Sequence, residues 1–132
     1  KKYPLIYQNK KTFPDVAPRA SYAVYISTAK TQGLINGYAD GTFRPTEPIS
    51  RKEAIKIILL AQYPEGEIKG GKINFSDVFP NQWYTKYIMF ADLKGFISGY
   101  ANPNGSRTKI FGLDNKLTRE KKKKMINTIL KL

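Results

Sequence analysis

The chain has no cysteine and no histidine among its 132 residues. The missing cysteine excludes disulfides, thiol nucleophiles and thiolate metal ligands. The missing histidine removes the commonest general base and the commonest neutral metal ligand. Acid–base chemistry would depend on ten carboxylates alone, and no spacing sets two of them opposite each other as an acid–base pair. The sequence therefore predicts a protein that is not an enzyme and that has no cofactor and no metal site.

Long apolar runs are also missing. The longest apolar stretch, residues 57–61, is far too short to cross a bilayer. No signal peptide opens the chain, so any export signal was removed or lies outside it. We therefore expect no membrane span.

Positive charge, in contrast, is abundant. The chain carries 23 Lys and Arg against 10 Asp and Glu, for a net charge of +13. Such an excess attracts polyanions, whether nucleic acid, acidic polysaccharide, teichoic-type polymer or anionic lipid. The alternative is a lysine-rich bias that only solvates the surface, and for most individual lysines the two interpretations weigh equally. A hydrophobic content of 41% suffices for one compact domain or two very small ones.

An internal repeat organises the sequence. Residues 13–39 recur 62 positions later as residues 75–101, with Phe, Asp, Gly and Tyr in the same order. Beyond that the register is 68 positions, so residues 43–51 match residues 111–119 and the second copy has six extra residues, placed within 102–110. A spaced pattern of this kind is a true repeat rather than a composition bias.

The repeat predicts the domain organisation. Copy one spans residues 13–62 and copy two spans residues 75–132, with a Gly- and Glu-rich linker at 63–74. Residues 1–12 have no clear period and are a leader or the remnant of another segment.

Each copy is predicted to be a helix, a loop and a second helix. The first helices are expected at 21–32 and 83–94, each followed by a glycine suited to a left-handed C′ position, Gly33 and Gly95. Each first helix is expected to pack against the second helix of its own copy.

The second helices start at hydroxyl residues. In copy one, Ser50 and Glu53 form a capping box that begins the helix. In copy two Thr118 is the corresponding cap, but Lys121 replaces the glutamate, so half of the box remains.

The motifs resemble the S-layer homology family. Copy one has Gly-Leu-Ile-Asn-Gly-Tyr-Ala-Asp-Gly-Thr-Phe-Arg-Pro at 33–45 and Ile-Ser-Arg-Lys-Glu at 49–53, and copy two has Phe-Ser-Asp-Val at 75–78 and Leu-Thr-Arg-Glu at 117–120. Copy two departs from the pattern because Asn-Pro-Asn-Gly at 102–105 replaces the Asp-Gly turn. The resemblance covers nearly the whole chain.

The resemblance implies an all-α, mainly helical fold in which tandem repeats pack as a pseudo-symmetric bundle. It also implies a secreted protein of the cell wall or S-layer whose partner is an anionic, pyruvylated or phosphorylated cell-wall polysaccharide. The family usually groups three repeats, with ligand grooves between neighbours. Only two are visible here, so a third repeat from the parent protein or a homo-oligomer is a further candidate partner.

The arginines that open the second helices, Arg51 and Arg119, are the ligand contacts that the resemblance implies. They lie beside hydroxyls and free backbone N–H groups, which favour anions. The alternative for Arg51 is a structural ion pair with Glu47 or Glu53. The full set of candidate ligand-binding residues is Arg51, Arg119, Gly37, Tyr38, Asp40, Gly99, Tyr100, Glu53 and Glu120.

Each remaining candidate has a structural alternative. Tyr38 and Tyr100 either offer an aromatic face to a sugar or fill the gap between repeats. Asp40 fits a turn equally well, and Trp83 is expected in the core. The four lysines at 121–124 form either a polyanion strip or, by preference, a solvated helix face.

Three functions remain after this reading. The favoured one is non-covalent anchoring to an anionic wall polymer. The alternatives are a protein-assembly module of a surface layer and a non-specific polyanion or nucleic-acid binder. Nucleic acid is disfavoured because no recognised nucleic-acid motif is present.

Overall fold

The computed structural model describes residues 4–5 and 11–117. These residues contain three α-helices, α1 (Ala23–Thr31), α2 (Arg51–Gln62) and α3 (Thr85–Leu93), and a short 3-10 helix at Glu65–Glu67. Extended pairing within the described part consists of isolated bridges. The expectation of a mainly helical fold is therefore confirmed.

The helix ends follow from local chemistry. After α1 and α3 the chain turns through Gly33 and Gly95, whose φ angles are 73° and 72°. The next residue in each copy donates back to the helix, from Leu34 N to the Ala29 carbonyl and from Phe96 N to the Ala91 carbonyl, both at 2.9 Å. This is a Schellman ending, which favours glycine because other residues are strained at positive φ.

The start of α2 uses the predicted cap. The Ser50 hydroxyl accepts a hydrogen bond from the Glu53 amide at 3.4 Å, and Ser50 itself is buried. An acidic residue in the first turn also complements the partial positive charge of a helix N-terminus.

The chain divides into two compact units between Glu47 and Pro48, Lys1–Glu47 and Pro48–Leu132. In the first unit the core consists of Phe13, Val16, Ala23 and Ile26. The phenyl rings of Phe13 and Phe43 lie 5.4 Å apart and close the loop that follows α1 over this core.

The second unit has the larger core. Here α2 packs against α3, with Ile55 and Leu59 of α2 and Ile88 and Ala91 of α3 fully buried. Since α2 ends copy one and α3 begins copy two, this packing joins a second helix to the first helix of the following copy.

The segment predicted as a linker takes part in this second core. Ile68 is buried there, and the Tyr63 ring meets the Phe90 ring edge-on at 5.1 Å. A side chain on Gly71 would overlap the Met89 carbonyl of α3, so the segment lies close along that helix.

Trp83 is placed differently from the sequence expectation, and Tyr25 differs from its counterpart in copy two. Trp83, predicted in the core, is 48% exposed because it precedes α3 and meets Tyr84 only edge-on, at 5.6 Å. Tyr25 of α1 is 61% exposed, whereas its counterpart Tyr87 in α3 is 3% exposed. The difference arises because Tyr87 belongs to the core in which α2 and α3 pack together.

Candidate functional site

In the first unit the segment Gly-Tyr-Ala-Asp-Gly-Thr at 37–42 forms one tight loop. Tyr38 N donates to the Thr42 carbonyl at 2.8 Å, and Gly41 N donates to the Tyr38 carbonyl at 2.9 Å. The Asp40 carboxylate accepts from both the amide and the hydroxyl of Thr42, at 3.0 and 2.6 Å. Asp40 therefore has the turn-forming role that was its alternative reading.

A side chain on Gly37 would come within 2.5 Å of the Phe13 ring and 2.9 Å of the Thr42 carbonyl. The loop thus approaches the core so closely that only glycine fits. The Gly37 backbone is packed inside the first unit.

Arg44 occupies the aromatic face that Tyr38 presents. Its guanidinium carbon lies 3.9 Å from the centre of the Tyr38 ring. The same guanidinium pairs with Asp40 at 3.2 Å and with Glu47 at 3.8 Å. The cation of this loop is therefore neutralised by its own neighbours.

Hydrogen bonds from the Thr42 hydroxyl and amide, together with Arg44, lower the pKa of Asp40 to about 2. Because this value lies below the ordinary one, the contribution of the network to stability is complete above about pH 4. It is lost as the pH falls through the folded-state pKa. We expect the Asp40 carboxyl carbon to titrate near pH 2 in an NMR experiment.

The variant Thr42→Val removes the hydroxyl donor and should move the Asp40 pKa upward. Thr46→Val, at an exposed hydroxyl on the same loop, is the matched control and should leave it unchanged. An unaltered Asp40 midpoint in Thr42→Val would show that this network does not set its acidity.

An aspartate holds each loop onto its own unit. Asp15 accepts from the amides of Phe43 and Arg44 at 2.9 and 2.7 Å. Asp77 accepts in the same way from Phe111 and Gly112, at 2.8 and 2.7 Å. Both aspartates therefore have a structural role as acceptors of backbone N–H bonds.

The surroundings of Asp77 shift its ionisation. Burial by itself raises its pKa, but the backbone hydrogen bonds from Phe111 and Gly112 outweigh burial and lower the pKa below its ordinary value. The carboxylate therefore stays charged at neutral pH and keeps the second loop in place.

Copy two retains the turn that its sequence had suggested was lost. Asn104 accepts from the amide and the hydroxyl of Ser106 at 3.0 and 2.6 Å, as Asp40 does from Thr42. Gly105 N donates to the Asn102 carbonyl at 2.9 Å, and Gly105 has a φ of 85°. An asparagine oxygen replaces the carboxylate oxygen in the same geometry, so the turn is kept without its negative charge.

The six extra residues lengthen the loop on both sides of this turn. Thr108 N donates to the Tyr100 carbonyl at 2.7 Å and Tyr100 N donates to the Ile110 carbonyl at 3.3 Å, while Ala101 and Arg107 form an antiparallel bridge. Aligning Asp40 with Asn104 puts two of the extra residues before the turn, at 102–103, and four after it, at 107–110. We call residues 98–112 the copy-two hairpin.

Gly99 and Tyr100 form one strand of this hairpin. A side chain on Gly99 would overlap the Thr108 carbonyl oxygen, so the two strands approach at a distance that only glycine permits. The Tyr100 hydroxyl accepts from the Asn115 side chain at 2.8 Å.

Arg51 lies against the copy-two hairpin. As the first residue of α2, it donates from a terminal nitrogen to the Ser98 carbonyl at 3.1 Å. Its guanidinium carbon lies 5.1 Å from the Tyr100 ring centre and 4.6 Å from that of Phe111. The helix start of copy one and the Gly-Tyr segment of copy two thus form one site within the second unit.

Among residues 48–117, the described part of its unit, no side chain matches the charge of Arg51. Among the described residues from Pro48 onward, no carboxylate forms an ion pair with Arg51, and Glu53 does not reach it. The Arg51 Nε is buried with no hydrogen-bond partner in the described part of the chain. A buried donor of this kind is costly to leave unsatisfied.

The other predicted site residues do not lie beside Arg51 in the described structure. Gly37, Tyr38 and Asp40 form their own loop in the first unit. Arg119, Glu120 and the lysines at 121–124 lie outside the described residues.

Sequence reasoning missed two arginines. Arg44 was treated only as part of a motif, although an arginine four residues after an aspartate in a turn is a plausible ion pair. Arg107 lies in the extra residues of copy two and donates to the Gly99 carbonyl at 3.5 Å. Its location in an insertion beside the Gly-Tyr segment is the signal that could have identified it.

Among residues 11–117, no group of three or more acidic side chains is placed to hold a metal ion. No described helix has the length and apolar character needed to cross a membrane.

Comparison with known proteins places these features in a family. Residues 12–55 match the model of the S-layer homology domain. Cell surface glycoprotein 1 of Acetivibrio thermocellus is 32% identical over 131 residues, which cover 93% of this chain and 5% of that protein. The cellulosome-anchoring protein of the same organism is 39% identical over 64 residues, covering 48% of this chain and 14% of that protein.

A third relative carries the name of an enzyme. An uncharacterized cell wall amidase of Bacillus anthracis is 33% identical over 100 residues, covering 76% of this chain and 18% of that protein. The chain thus spans a small part of each relative. Residues 12–55 of this chain belong to the S-layer homology domain family.

Proposed function

We propose that this chain is a cell-surface anchoring module that binds an anionic secondary cell-wall polysaccharide, through acidic groups such as pyruvate ketals or phosphates. The observation that carries the proposal is Arg51. Its guanidinium lies over two aromatic rings, beside an exposed hairpin, with no carboxylate partner among the described residues of its unit. The match to the S-layer homology domain and the cell-surface and anchoring relatives support the same assignment.

Arginine suits this role because its planar fork donates two parallel hydrogen bonds to a carboxylate or phosphate. Arg51 uses one terminal nitrogen for the Ser98 carbonyl, which orients the plane of the guanidinium. The rings of Tyr100 and Phe111 hold it from the side and displace water, which strengthens its interaction with an anion.

The rest of the site suits a sugar. The Tyr100 ring lies at the edge of the exposed hairpin, where an aromatic face can stack on a pyranose ring. Gly99 is buried beside it, with its backbone close against the Thr108 carbonyl. We include Gly99 and Tyr100 in the proposed site on this basis, and Arg119 and Glu120 through their motif alone.

Two neighbouring proposals concern the parent protein. By analogy with its family, we propose that a third repeat or a second chain completes the assembly and that the parent protein is exported to the cell wall. A protein-assembly role in a surface layer is the second candidate function. It is favoured by two exposed aromatic residues, Tyr22 immediately before α1 and Tyr25 within it.

The test is a pulldown of the chain on purified wall sacculi, before and after acid extraction of the secondary polymer. We expect retention on intact sacculi and loss on extracted ones, because the peptidoglycan left behind lacks the proposed ligand. Equal retention on both would contradict the proposal, and no retention on either would favour the assembly role.

The retention should also weaken as salt is added. Cationic side chains attract an anionic polymer through a field that is screened over about 8 Å at physiological ionic strength. We expect bound protein to fall steadily between low salt and about 1 M NaCl, measured on the same sacculi. Binding that is indifferent to salt would indicate a neutral, lectin-like site instead.

A further inference from the structure

The two loops of the repeat differ most in their charge. In copy one, Asp40 and Glu47 neutralise Arg44. The Asp40 position is Asn104 in copy two, as the matching turn hydrogen bonds establish.

The Glu47 position has changed in the same direction. Asn115 donates its backbone N–H to the Gly112 carbonyl at 3.2 Å, and Glu47 donates to the Arg44 carbonyl at the same distance. Both acidic residues of the copy-one loop are therefore amides in copy two. The copy-two hairpin contains Arg107 and Lys109 and no Asp or Glu.

Two guanidinium groups meet the same short stretch of this hairpin. Arg51 donates to the Ser98 carbonyl at 3.1 Å and Arg107 donates to the Gly99 carbonyl at 3.5 Å. These carbonyls belong to consecutive residues, whose Cα atoms are about 3.8 Å apart. The two cations are thus held to one segment by different parts of the chain, Arg51 from α2 and Arg107 from the extra residues.

The pair has no acidic counterpart in the described part of the second unit. The ion pairs there are Lys52 with Asp114 and Lys86 with Glu65. Each guanidinium carries five N–H donors, and one donor of each is engaged by these carbonyls. The remaining donors are suited to an external anion.

We propose that Arg107 is a second anion-binding residue of the Arg51 site, and that the two arginines together bind acidic substituents of the wall polymer, carboxylate or phosphate. This inference rests on the proposed function and adds to it a residue outside the repeated motif. The extra residues of copy two thereby adapt this site for a more highly charged ligand than the copy-one loop accepts.

The test compares the affinity of purified secondary polymer for the chain and for single variants, by calorimetric titration. Arg107→Ala should weaken binding on the order of tenfold. Lys109→Ala is the matched control, since it removes one exposed charge from the same hairpin, and it should weaken binding no more than about twofold. Arg107→Lys keeps the charge but not the planar fork and should fall between them.

Shared binding predicts coupling between the two arginines. The combined variant Arg51→Ala/Arg107→Ala should lose less than the product of the two single losses, because both contacts serve one ligand. Polymer freed of ketals by mild acid and polymer freed of phosphate by hydrofluoric acid identify the anion. If binding is lost when the ketals are removed, the bound group is a carboxylate. If binding is lost when the phosphate is removed, the bound group is a phosphate.

Failure of the Arg107 inference can be distinguished from failure of the proposed function. If Arg107→Ala binds like Lys109→Ala while Arg51→Ala is impaired, the inference is overturned and the proposed function stands. If the unaltered chain does not bind the polymer, the proposed function fails. Undiminished binding of both treated polymers also contradicts the inference. Thermal unfolding of each variant establishes that the hairpin is intact, and Arg107→Lys provides the comparison should Arg107→Ala be destabilised.

Discussion

Replacing Gly99 with alanine is expected to destabilise the second unit by about 2–3 kcal/mol and to abolish binding to the wall polymer. The added methyl group would overlap the Thr108 carbonyl oxygen, so the two strands of the copy-two hairpin must separate. Separation moves the Ser98 and Gly99 carbonyls that orient Arg51 and Arg107. Urea unfolding measures the first effect and sacculus pulldown the second.

Gly66→Ala is the matched control. Gly66 lies in the short 3-10 helix, and a side chain there meets nothing within 4 Å. It should change the free energy of unfolding by less than about 0.5 kcal/mol and leave binding unaltered. Wild-type stability and binding in Gly99→Ala would mean that the close approach of the two hairpin strands is not required.

Arg51→Ala should reduce the affinity for wall polymer by about 10- to 100-fold while leaving the helical content nearly unchanged. A hydrogen bond to a charged group contributes about 1.5–3 kcal/mol, and each 1.4 kcal/mol is a factor of about ten. The Ser50 cap, and not the arginine, holds the start of α2. Polymer titration and circular dichroism measure the two quantities.

Arg119→Ala is the natural comparison because it is the same motif position in copy two. We expect the smaller loss from Arg119→Ala, since Lys121 replaces the capping glutamate there and a less ordered side chain loses about 0.5–1.5 kcal/mol on immobilisation. A greater loss from Arg119→Ala would reassign the main site. If neither change matters but removal of the lysines at 121–124 does, binding is diffuse polyanion attraction.

The helices and their ends were predictable because their causes are local. The hydroxyl of Ser50, the glycines at 33 and 95 and the apolar spacing along α3 each act within one or two turns of the chain. The observed α1 and α3 lie inside the predicted 21–32 and 83–94 and are shorter by two residues at the start. The preceding residues form turns.

The composition of the site was not predictable in the same way. Arg51 was identified from its motif, but its position over Tyr100 depends on the packing of α2 against α3. This packing brings Arg51 to Ser98, which lies 47 residues further along the chain. Nothing in a single copy specifies that partner. The sequence alone also suggested that copy two had lost the Asp-Gly turn. The counterpart of Asp40 is Asn104, which lies two positions beyond the place that the 62-residue register predicts.

Trp83 illustrates a limit of residue-type reasoning. Tryptophan is highly buried on average, yet here the buried face of α3 begins with Tyr84, and Trp83 lies one residue earlier on the chain. The Lys56 ammonium nitrogen of α2 lies 5.5 Å from the centre of the Trp83 ring. The indole itself remains at the surface. Neighbouring positions on a helix start can therefore differ completely in burial.

The central claim is that this chain recognises an anionic wall polymer rather than negative charge in general. The most direct measurement is a calorimetric titration of the chain with purified secondary polymer and, in parallel, with a DNA duplex at the same concentration of negative charge and physiological salt. Our account predicts saturable polymer binding that depends on Arg51 and much weaker binding of DNA. DNA that binds as tightly as the polymer, without dependence on Arg51, would contradict it.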